Sequence, residues 1–201
     1  MYSVSELKNI LKARLSQKRY THSLNVAEEA IRLAEEFGAN KSDAYLAGLL
    51  HDICKEIPHD EQLKMVSKSQ RDVTDVERSS PPLFHAVSGA WYTENTLEIR
   101  NEDILNAIRY HTVARGNMSK LEKIIYLADL VSADRNYNDV SKMRKIAHQD
   151  LDKAMLSALK FSIEYVVAKG ALIPVHTINA YNQYALQKKS AEAEKNIKED
   201  I

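Results

Sequence analysis

The chain has 201 residues, 44% of them hydrophobic and 28% charged, which suits one large globular domain. Its 28 basic and 28 acidic residues cancel, so the sequence does not favour a nucleic-acid polymer as partner. The single cysteine, Cys54, excludes an intramolecular disulfide and suits a reducing compartment. The N-terminus predicts a helix rather than a signal peptide, and no apolar run approaches the roughly 18 residues of a membrane span. We therefore expect a cytoplasmic protein without membrane contact.

In the first third of the chain, apolar residues recur at the spacing of an α-helix. Ser3 and Glu6 have the spacing of a capping box at the first helix. The apolar stripe of the second helix stops at Gly38, a residue type that favours a helix end. Ser42 or Asp43 is the expected cap of the third helix.

The remaining segments have the same period. A short amphipathic piece follows Pro58, and "LFHAVSGAWYTENTL", "EDILNAIRYH", "SKLEKIIYLADLVS" and "DLDKAMLSALKFSIEYVVAKG" each have a helical pattern. The sequence contains no convincing strand alternation and no internal repeat. It predicts an all-α helical bundle, with residues 1–175 as the domain and residues 176–201 as a C-terminal helical extension.

Polar residues interrupt the apolar helix faces or stand at their ends. Taken singly, each could be a hydrogen-bonded core histidine or a helix cap. As a set on five predicted helices they favour a metal centre, because a bound cation reverses the cost of burying carboxylates. The six candidate ligands are His22, His51, Asp52, His85, His111 and Asp129.

The ligand types narrow the metal and the chemistry. Imidazole and carboxylate without thiolate suit zinc, iron, manganese or cobalt. Six ligands exceed the usual number for one catalytic ion, and a carboxylate can bridge two ions, so Asp52 is the candidate bridge and a catalytic residue. Paired ions roughly 3.5–4 Å apart assist phosphoryl displacement. The residues therefore predict hydrolysis of a phosphoester or phosphoanhydride.

A phosphate substrate is anionic and would need further cations and donors around such a centre. Arg109 and Lys120 have the character of surface charges. Four residues near the candidate ligands are the expected substrate contacts, although a solvent-exposed charge or a turn residue is the alternative for each: Lys55, Thr112, Arg115 and Arg135. Lys55 would also balance charge that develops in the reaction, which makes it a second catalytic candidate.

These residues also carry a family resemblance. His22, the "HD" pair at 51–52 and Asp129 resemble the H…HD…D signature of HD-domain metal-dependent phosphohydrolases. The stretches "YTHSLNVAEEAIRLAEEFG", "AGLLHDICKEIP", "LFHAVSGAW" and "ILNAIRYHTVARGNMSKLEKIIYLADLV", with "DR" at 134–135, resemble the bacterial YqeK family more specifically. The resemblance runs from about residue 5 to about residue 170.

The resemblance implies an HD-domain helical bundle and a di-iron enzyme that hydrolyses diadenosine tetraphosphate symmetrically to two ADP. Manganese, cobalt and zinc remain alternatives to iron, and a homodimer is compatible with the sequence. The implied ligands of one ion are His22, His51, Asp52 and Asp129; those of the other are Asp52, His85 and His111. All six positions match the family's motif.

The sequence departs from the family's usual form at three places. Val113 and Ala114 replace a hydroxyl residue and a glycine, "LVSADR" replaces a commoner Ile-Glu-Pro form before the arginine, and Ala86 stands where a glycine is usual.

Two other functions remain compatible with the HD signature. One is a nucleotidase or deoxynucleotide phosphohydrolase, and the other is a non-catalytic nucleotide-sensing HD protein.

Overall fold

The computed structural model describes the backbone of residues 2–199 and the side chains of residues 2–194. Within this range the chain forms helices and no strand, which confirms the all-α prediction, and no helix is long and apolar enough to cross a membrane. A 3₁₀ turn at Pro81–Leu83 precedes α6. The helices are α1 Val4–Arg14, α2 Gln17–Phe37, α3 Lys41–Leu50, α4 His59–Lys68, α5 Asp75–Arg78, α6 Phe84–Asn95, α7 Glu102–Tyr110, α8 Lys120–Val131, α9 Val140–Ala147, α10 Leu151–Ala168 and α11 Val175–Glu199.

The ends of α1 and α2 agree with the sequence-based predictions. The Ser3 amide donates to the Glu6 carboxylate at 2.7 Å, and the Glu6 amide donates back to the Ser3 hydroxyl at 3.3 Å. This capping box satisfies two amides that the first helical turn leaves without partners. At the C-terminal end of α2, Gly38 has φ +65°, a left-handed conformation that costs glycine little.

The cap of α3 differs from the prediction. Asn40, rather than Ser42 or Asp43, precedes the helix, and its side-chain oxygen accepts hydrogen bonds from both of those amides at 2.9 and 3.1 Å. The amide oxygen of asparagine reaches the second and third helical amides in the same way as a serine or aspartate oxygen. The helix therefore begins earlier than expected.

Helix α2 is the centre of the bundle and packs along α3 and α8. The contact with α3 is closest at Gly48, where a Cβ atom would lie 2.8 Å from the Ala27 Cα. Helix α7 packs against α3, α6 and α8. Five helices, α2, α3, α6, α7 and α8, thus converge on one side of the core.

Arg109 contradicts its prediction as a surface charge, whereas Lys120 is exposed as expected. Arg109 is fully buried and lies over the ring of Tyr110, with 4.7 Å between guanidinium carbon and ring centroid. Its guanidinium donates to the Asp72 carbonyl at 2.5 Å and forms a 2.7 Å ion pair with Glu77. Arg109 can be buried because α5 supplies a carboxylate and the segment before α5 supplies a carbonyl. Helical periodicity does not reveal these partners.

Helix α11 covers most of the predicted extension at residues 176–201, of which the last two lie outside the described backbone. Its first turns pack on the rest of the molecule: Ala180 and Tyr184 are buried, and the Thr177 hydroxyl donates to the Val113 carbonyl at 2.7 Å. The described side chains from 188 to 194 are exposed. The division between domain and extension remains a prediction.

Candidate metal centre

The structure brings the six predicted ligands together. His22 lies in α2, His85 in the first turn of α6 and Asp129 in α8, whereas His51 and His111 directly follow α3 and α7. The four histidines and Asp52 are almost completely buried. Burial of so many polar groups in one place requires that they satisfy one another or hold a cation.

One half of the cluster joins α2, α3 and α8. The Nε2 atom of His22 lies 2.9 Å from Asp129 Oδ1, and the Nε2 atom of His51 lies 3.9 Å from the same oxygen. The two imidazole rings meet edge to face with 5.3 Å between their centroids. These three side chains place two nitrogens and one carboxylate oxygen around one point.

The other half joins α6 and α7 through Asp52. The Oδ1 atom of Asp52 lies 3.3 Å from His85 Nε2 and 3.6 Å from His111 Nε2, and the two nitrogens are 3.2 Å apart. The Oδ2 atom of Asp52 lies instead 3.4 Å from His51 Nε2. The two oxygens of one carboxylate therefore face the two halves of the cluster.

Hydrogen bonds at Nδ1 fix the orientation of three of these histidines. Each donates Nδ1–H to a carbonyl three residues earlier: His51 to Gly48 at 2.7 Å, His85 to Pro82 at 2.9 Å and His111 to Ile108 at 2.7 Å. A carbonyl can only accept, so the proton of each neutral ring lies on Nδ1. The lone pair of each Nε2 then points into the cluster.

The donor set fits a divalent cation. Two groups of ligand atoms each lie within 4.8 Å of one another, namely His22–His51–Asp129 and His51–Asp52–His111. The Nε2 atom of His51 is buried and has no hydrogen-bond partner among the described residues, as expected of a nitrogen available for coordination. Nitrogen and oxygen donors of this kind suit first-row divalent metals. The cluster can thus hold a divalent metal.

Cys54 adds no thiolate to this donor set. It is buried, and burial raises the pKa of its thiol to about 11 despite the nearby Arg14 guanidinium. The thiol therefore stays protonated at neutral pH.

Both carboxylates of the cluster are ionised. Burial alone would raise the pKa of Asp52, but in the metal-free protein the positive charge that His51 and His85 can carry outweighs it and holds that pKa well below its ordinary value. Burial would likewise raise the pKa of Asp129, but in the metal-free protein the adjacent His22 imidazole and the charge of Arg135 together keep that pKa well below its ordinary value. Ionised carboxylates are the form that binds cations.

Three cationic side chains border the cluster. Two were predicted: Lys55, whose Nζ lies 3.1 Å from His85 Nε2, and Arg135, which donates to both the carboxylate and the carbonyl of Asp129. The third, Arg19, was missed, although its Nη1 lies 2.7 Å from Asp52 Oδ2. Its position three residues before His22, on the same helix face, was the available signal.

The other two predicted substrate contacts lie in the segment after His111. The Thr112 hydroxyl is buried and has no hydrogen-bond partner in the described part of the chain. The Arg115 guanidinium forms a two-pronged pair with the buried Glu122, at 2.6 and 3.0 Å. The substrate role of both residues remains a prediction.

Asp134 was also missed as a partner of the cluster. Its Oδ2 atom lies 2.8 Å from His22 Nδ1, so among the described residues His22 is the one histidine of the four with a carboxylate at that nitrogen. The two residues are 112 positions apart, and Asp134 lies in an irregular segment after α8. Neither periodicity nor local spacing connects them.

A helical bundle with this buried His and Asp cluster is the arrangement of the HD-domain class, and the HD domain family model matches residues 19–134. A Halalkalibacterium halodurans protein named "Bis(5'-nucleosyl)-tetraphosphatase, symmetrical" is 38% identical, over 90% of this chain and 96% of its own length. A Bacillus subtilis protein of the same name is 34% identical, over 86% and 92%. The chain belongs to the HD-domain family, in the YqeK branch to which its motifs pointed.

A solved structure supports the same placement. The crystal structure of a Clostridium acetobutylicum protein, described as a predicted HD superfamily hydrolase involved in NAD metabolism, superposes with a TM-score of 0.89. The two chains are 35% identical, and the match covers 93% of this chain and 99% of the other. At this identity and coverage, the similarity extends over the whole bundle and is not restricted to the HD signature.

Proposed function

We propose that the chain is a metal-dependent hydrolase that cleaves diadenosine tetraphosphate symmetrically into two ADP. The names of its relatives supply a bis(5'-nucleosyl) tetraphosphate as substrate and symmetrical cleavage as the reaction, and the family resemblance supplies adenosine as the nucleoside and ADP as the product. The observation that carries the chemistry is the position of Asp52, whose two oxygens face separate groups of histidines. A carboxylate so placed suits a bridge between two cations.

The cofactor that we propose is a pair of divalent ions. His22, His51, Asp52 and Asp129 would hold one ion, and Asp52, His85 and His111 would hold the other. Iron is the metal that the family resemblance favours, and manganese, cobalt and zinc are the alternatives that the same nitrogen and oxygen donors accept. When bound, such a pair supplies Lewis acidity and lowers the pKa of water.

The chain's own side chains would bind and orient the tetraphosphate. Lys55, Arg135 and Arg19 border the cluster from three elements and would neutralise phosphate oxygens on either side of the reacting phosphorus. Thr112 could donate its hydroxyl to a phosphate oxygen. Arg115 is the remaining proposed contact, and it would have to share its guanidinium with Glu122.

The reaction consumes one water and breaks the central phosphoanhydride bond. The water oxygen forms a bond to one inner phosphorus, and the bridging oxygen leaves with the other half of the molecule as ADP. The water gives one proton to the medium or to the leaving phosphate. Attack at either inner phosphorus gives the same two products, which is why symmetrical cleavage yields ADP alone.

The test is anaerobic incubation of the purified protein with ferrous iron and diadenosine tetraphosphate, followed by chromatography of the nucleotides. ADP as the sole product supports the proposal. AMP with ATP would retain the hydrolase but contradict symmetrical cleavage. Intact substrate would contradict the proposed substrate: turnover of mononucleotides would then identify a nucleotidase, and binding without turnover would identify a sensor.

Asp52→Asn tests the bridge. An amide offers one neutral oxygen in place of two anionic ones, so we expect loss of one or both ions. Turnover should fall at least about 100-fold, since the loss of a residue that only supports a metal ligand already costs about 10- to 100-fold. Asp60→Asn is the matched control, because Asp60 carries the same charge and its side chain is exposed in the first turn of α4. Wild-type metal content and rate in Asp52→Asn would rule out the bridging assignment.

A further inference from the structure

The position of each histidine in its helix decides which acceptor its Nδ1 can reach. His51 and His111 each stand at the C-terminal cap of a helix, where the last carbonyls have no intrahelical amide partner and can accept from the side chain. His22 is different, because it lies inside α2, which extends from Gln17 to Phe37. Carbonyls in a helix interior already accept from amides four residues later. His22 therefore needs an acceptor from outside its own helix.

Asp134 is that acceptor, and three donors hold it in place. Its Oδ2 atom accepts from His22 Nδ1 at 2.8 Å. Its Oδ1 atom accepts from Asn25 Nδ2 and from the Ser132 hydroxyl, each at 3.0 Å. Asn25 lies one turn after His22 on α2, so the carboxylate is attached to the helix at two points. The orientation of the Asp134 carboxylate is thus determined by both α2 and the segment after α8.

We infer that Asp134 is a positioning residue for His22 and acts through it on one of the two proposed ions. By accepting from Nδ1 it keeps the proton on that nitrogen and leaves Nε2, 2.9 Å from Asp129, with a lone pair directed at the cluster. A carboxylate behind a ligating histidine also fixes the ring and raises its basicity. The inference rests on the proposed metal centre, and it gives a role to Asp134, which the sequence analysis named only as part of the "DR" pair at 134–135.

The inference makes a prediction that distinguishes the two ions. His22 is a proposed ligand of only one ion, and His85 and His111 take their Nδ1 partners from the backbone. Removal of the Asp134 carboxylate should therefore weaken the binding of one ion and leave the binding of the other unchanged. A residue that merely maintained the fold would affect both ions and the stability of the apoprotein together.

The experiment measures metal binding directly. Wild type, Asp134→Ala and Asp134→Asn would be stripped of metal and titrated with Mn²⁺, the bound equivalents counted by mass spectrometry, and the thermal unfolding of each apoprotein recorded. We expect two equivalents in wild type and a roughly 10- to 100-fold weaker affinity for one of them in Asp134→Ala. Asp134→Asn should lose less, because its side-chain oxygen can still accept from Nδ1.

Asp139→Asn is the matched control. The substitution removes one charge from the same segment at an exposed position. The backbone of Asp139 is left-handed, with φ +67°, a conformation that asparagine tolerates. The variant should bind both ions as wild type does. Wild-type affinity in Asp134→Ala would overturn the inference but leave the metal centre standing, as would an equal loss at both ions. Absence of Mn²⁺ binding in wild type would instead refute the metal centre itself.

Discussion

At the scale of single residues, the charge around the cluster comes from three separate elements. Arg19 belongs to α2, Lys55 follows α3 and Arg135 follows α8. The burial of Lys55 lowers the pKa of its ammonium group, whereas Asp52 opposes that effect. Each cation thus contacts a carboxylate or an imidazole of the cluster.

Arg19→Ala tests whether the missed cation contributes to activity. A hydrogen bond to a charged group is worth about 1.5–3 kcal/mol, so loss of the guanidinium should decrease kcat/KM for diadenosine tetraphosphate about 10- to 100-fold. Steady-state kinetics at saturating metal would measure it. Lys18→Ala is the control, since it removes the same charge from the adjacent exposed position. Equal kinetics in the two variants would exclude a role for Arg19.

The residues of the site were predictable to different degrees. The six candidate ligands could be found because each interrupts an apolar helix face or stands at its end, and they meet in the structure. Arg19 was within reach of the same argument at a spacing of one turn. Asp134 was not, because its contact with His22 depends on the path of an irregular segment.

At the scale of helices, the separation of α2 and α3 sets the distance between their histidines. A Cβ atom at Gly48 would lie 2.8 Å from Ala27 Cα and 3.1 Å from the Val26 carbonyl oxygen. Both are backbone atoms, which cannot rotate away as a side chain can. The absence of a side chain at Gly48 therefore permits the 5.3 Å approach of the His22 and His51 rings.

Gly48→Ala should therefore separate the two helices. We expect a decrease of about 1–3 kcal/mol in the free energy of unfolding, as for other overpacked cores, together with weaker metal binding. Urea unfolding and metal titration would measure the two effects.

Gly89→Ala is the matched control within a helix, because its new Cβ would lie 3.4 Å from the flexible Ile108 side chain. It should be neutral or stabilising, since alanine favours helices over glycine by about 1 kcal/mol. Equal stability of the two variants would show that α2 and α3 adjust freely.

At the scale of the whole molecule, α11 closes the side of the bundle next to the segment after His111. Thr177 contacts Val113, and the Asn117 amide donates to Gln183 Oε1 at 2.7 Å. Periodicity predicted the helical character of this region. It could not predict which part of α11 packs against the bundle, because nothing in the local pattern distinguishes the buried Tyr184 from the rest of the 10 tyrosines in the sequence. Long-range contacts of this kind have no signature in the local pattern.

Two truncations test how far the folded unit extends. A chain ending at Gln187 retains every contact named above and should match the full chain in stability and activity. A chain ending at Pro174 loses the buried Tyr184 and the hydrogen bonds to Val113 and Asn117. Burial of one large apolar side chain and two hydrogen bonds suggests a loss of about 3 kcal/mol or more. Urea unfolding would measure it, and equal stability of the two truncated chains would make all of α11 an appendage.

The two kinds of Nδ1 acceptor have different consequences for how this site can evolve. His51, His85 and His111 rely on peptide carbonyls, which every amino acid provides, so no substitution at the acceptor positions removes them. His22 relies on a side chain that a single codon change can delete. The hydrogen bond at Nδ1 therefore sets no requirement on the side chain at the acceptor position of three histidines, where only packing restricts substitution, as at Gly48, but it does set one for the fourth. A lineage that loses the carboxylate of Asp134 must acquire another side chain near Ser132 or Asn25 that accepts a hydrogen bond from His22, to keep that ring in place.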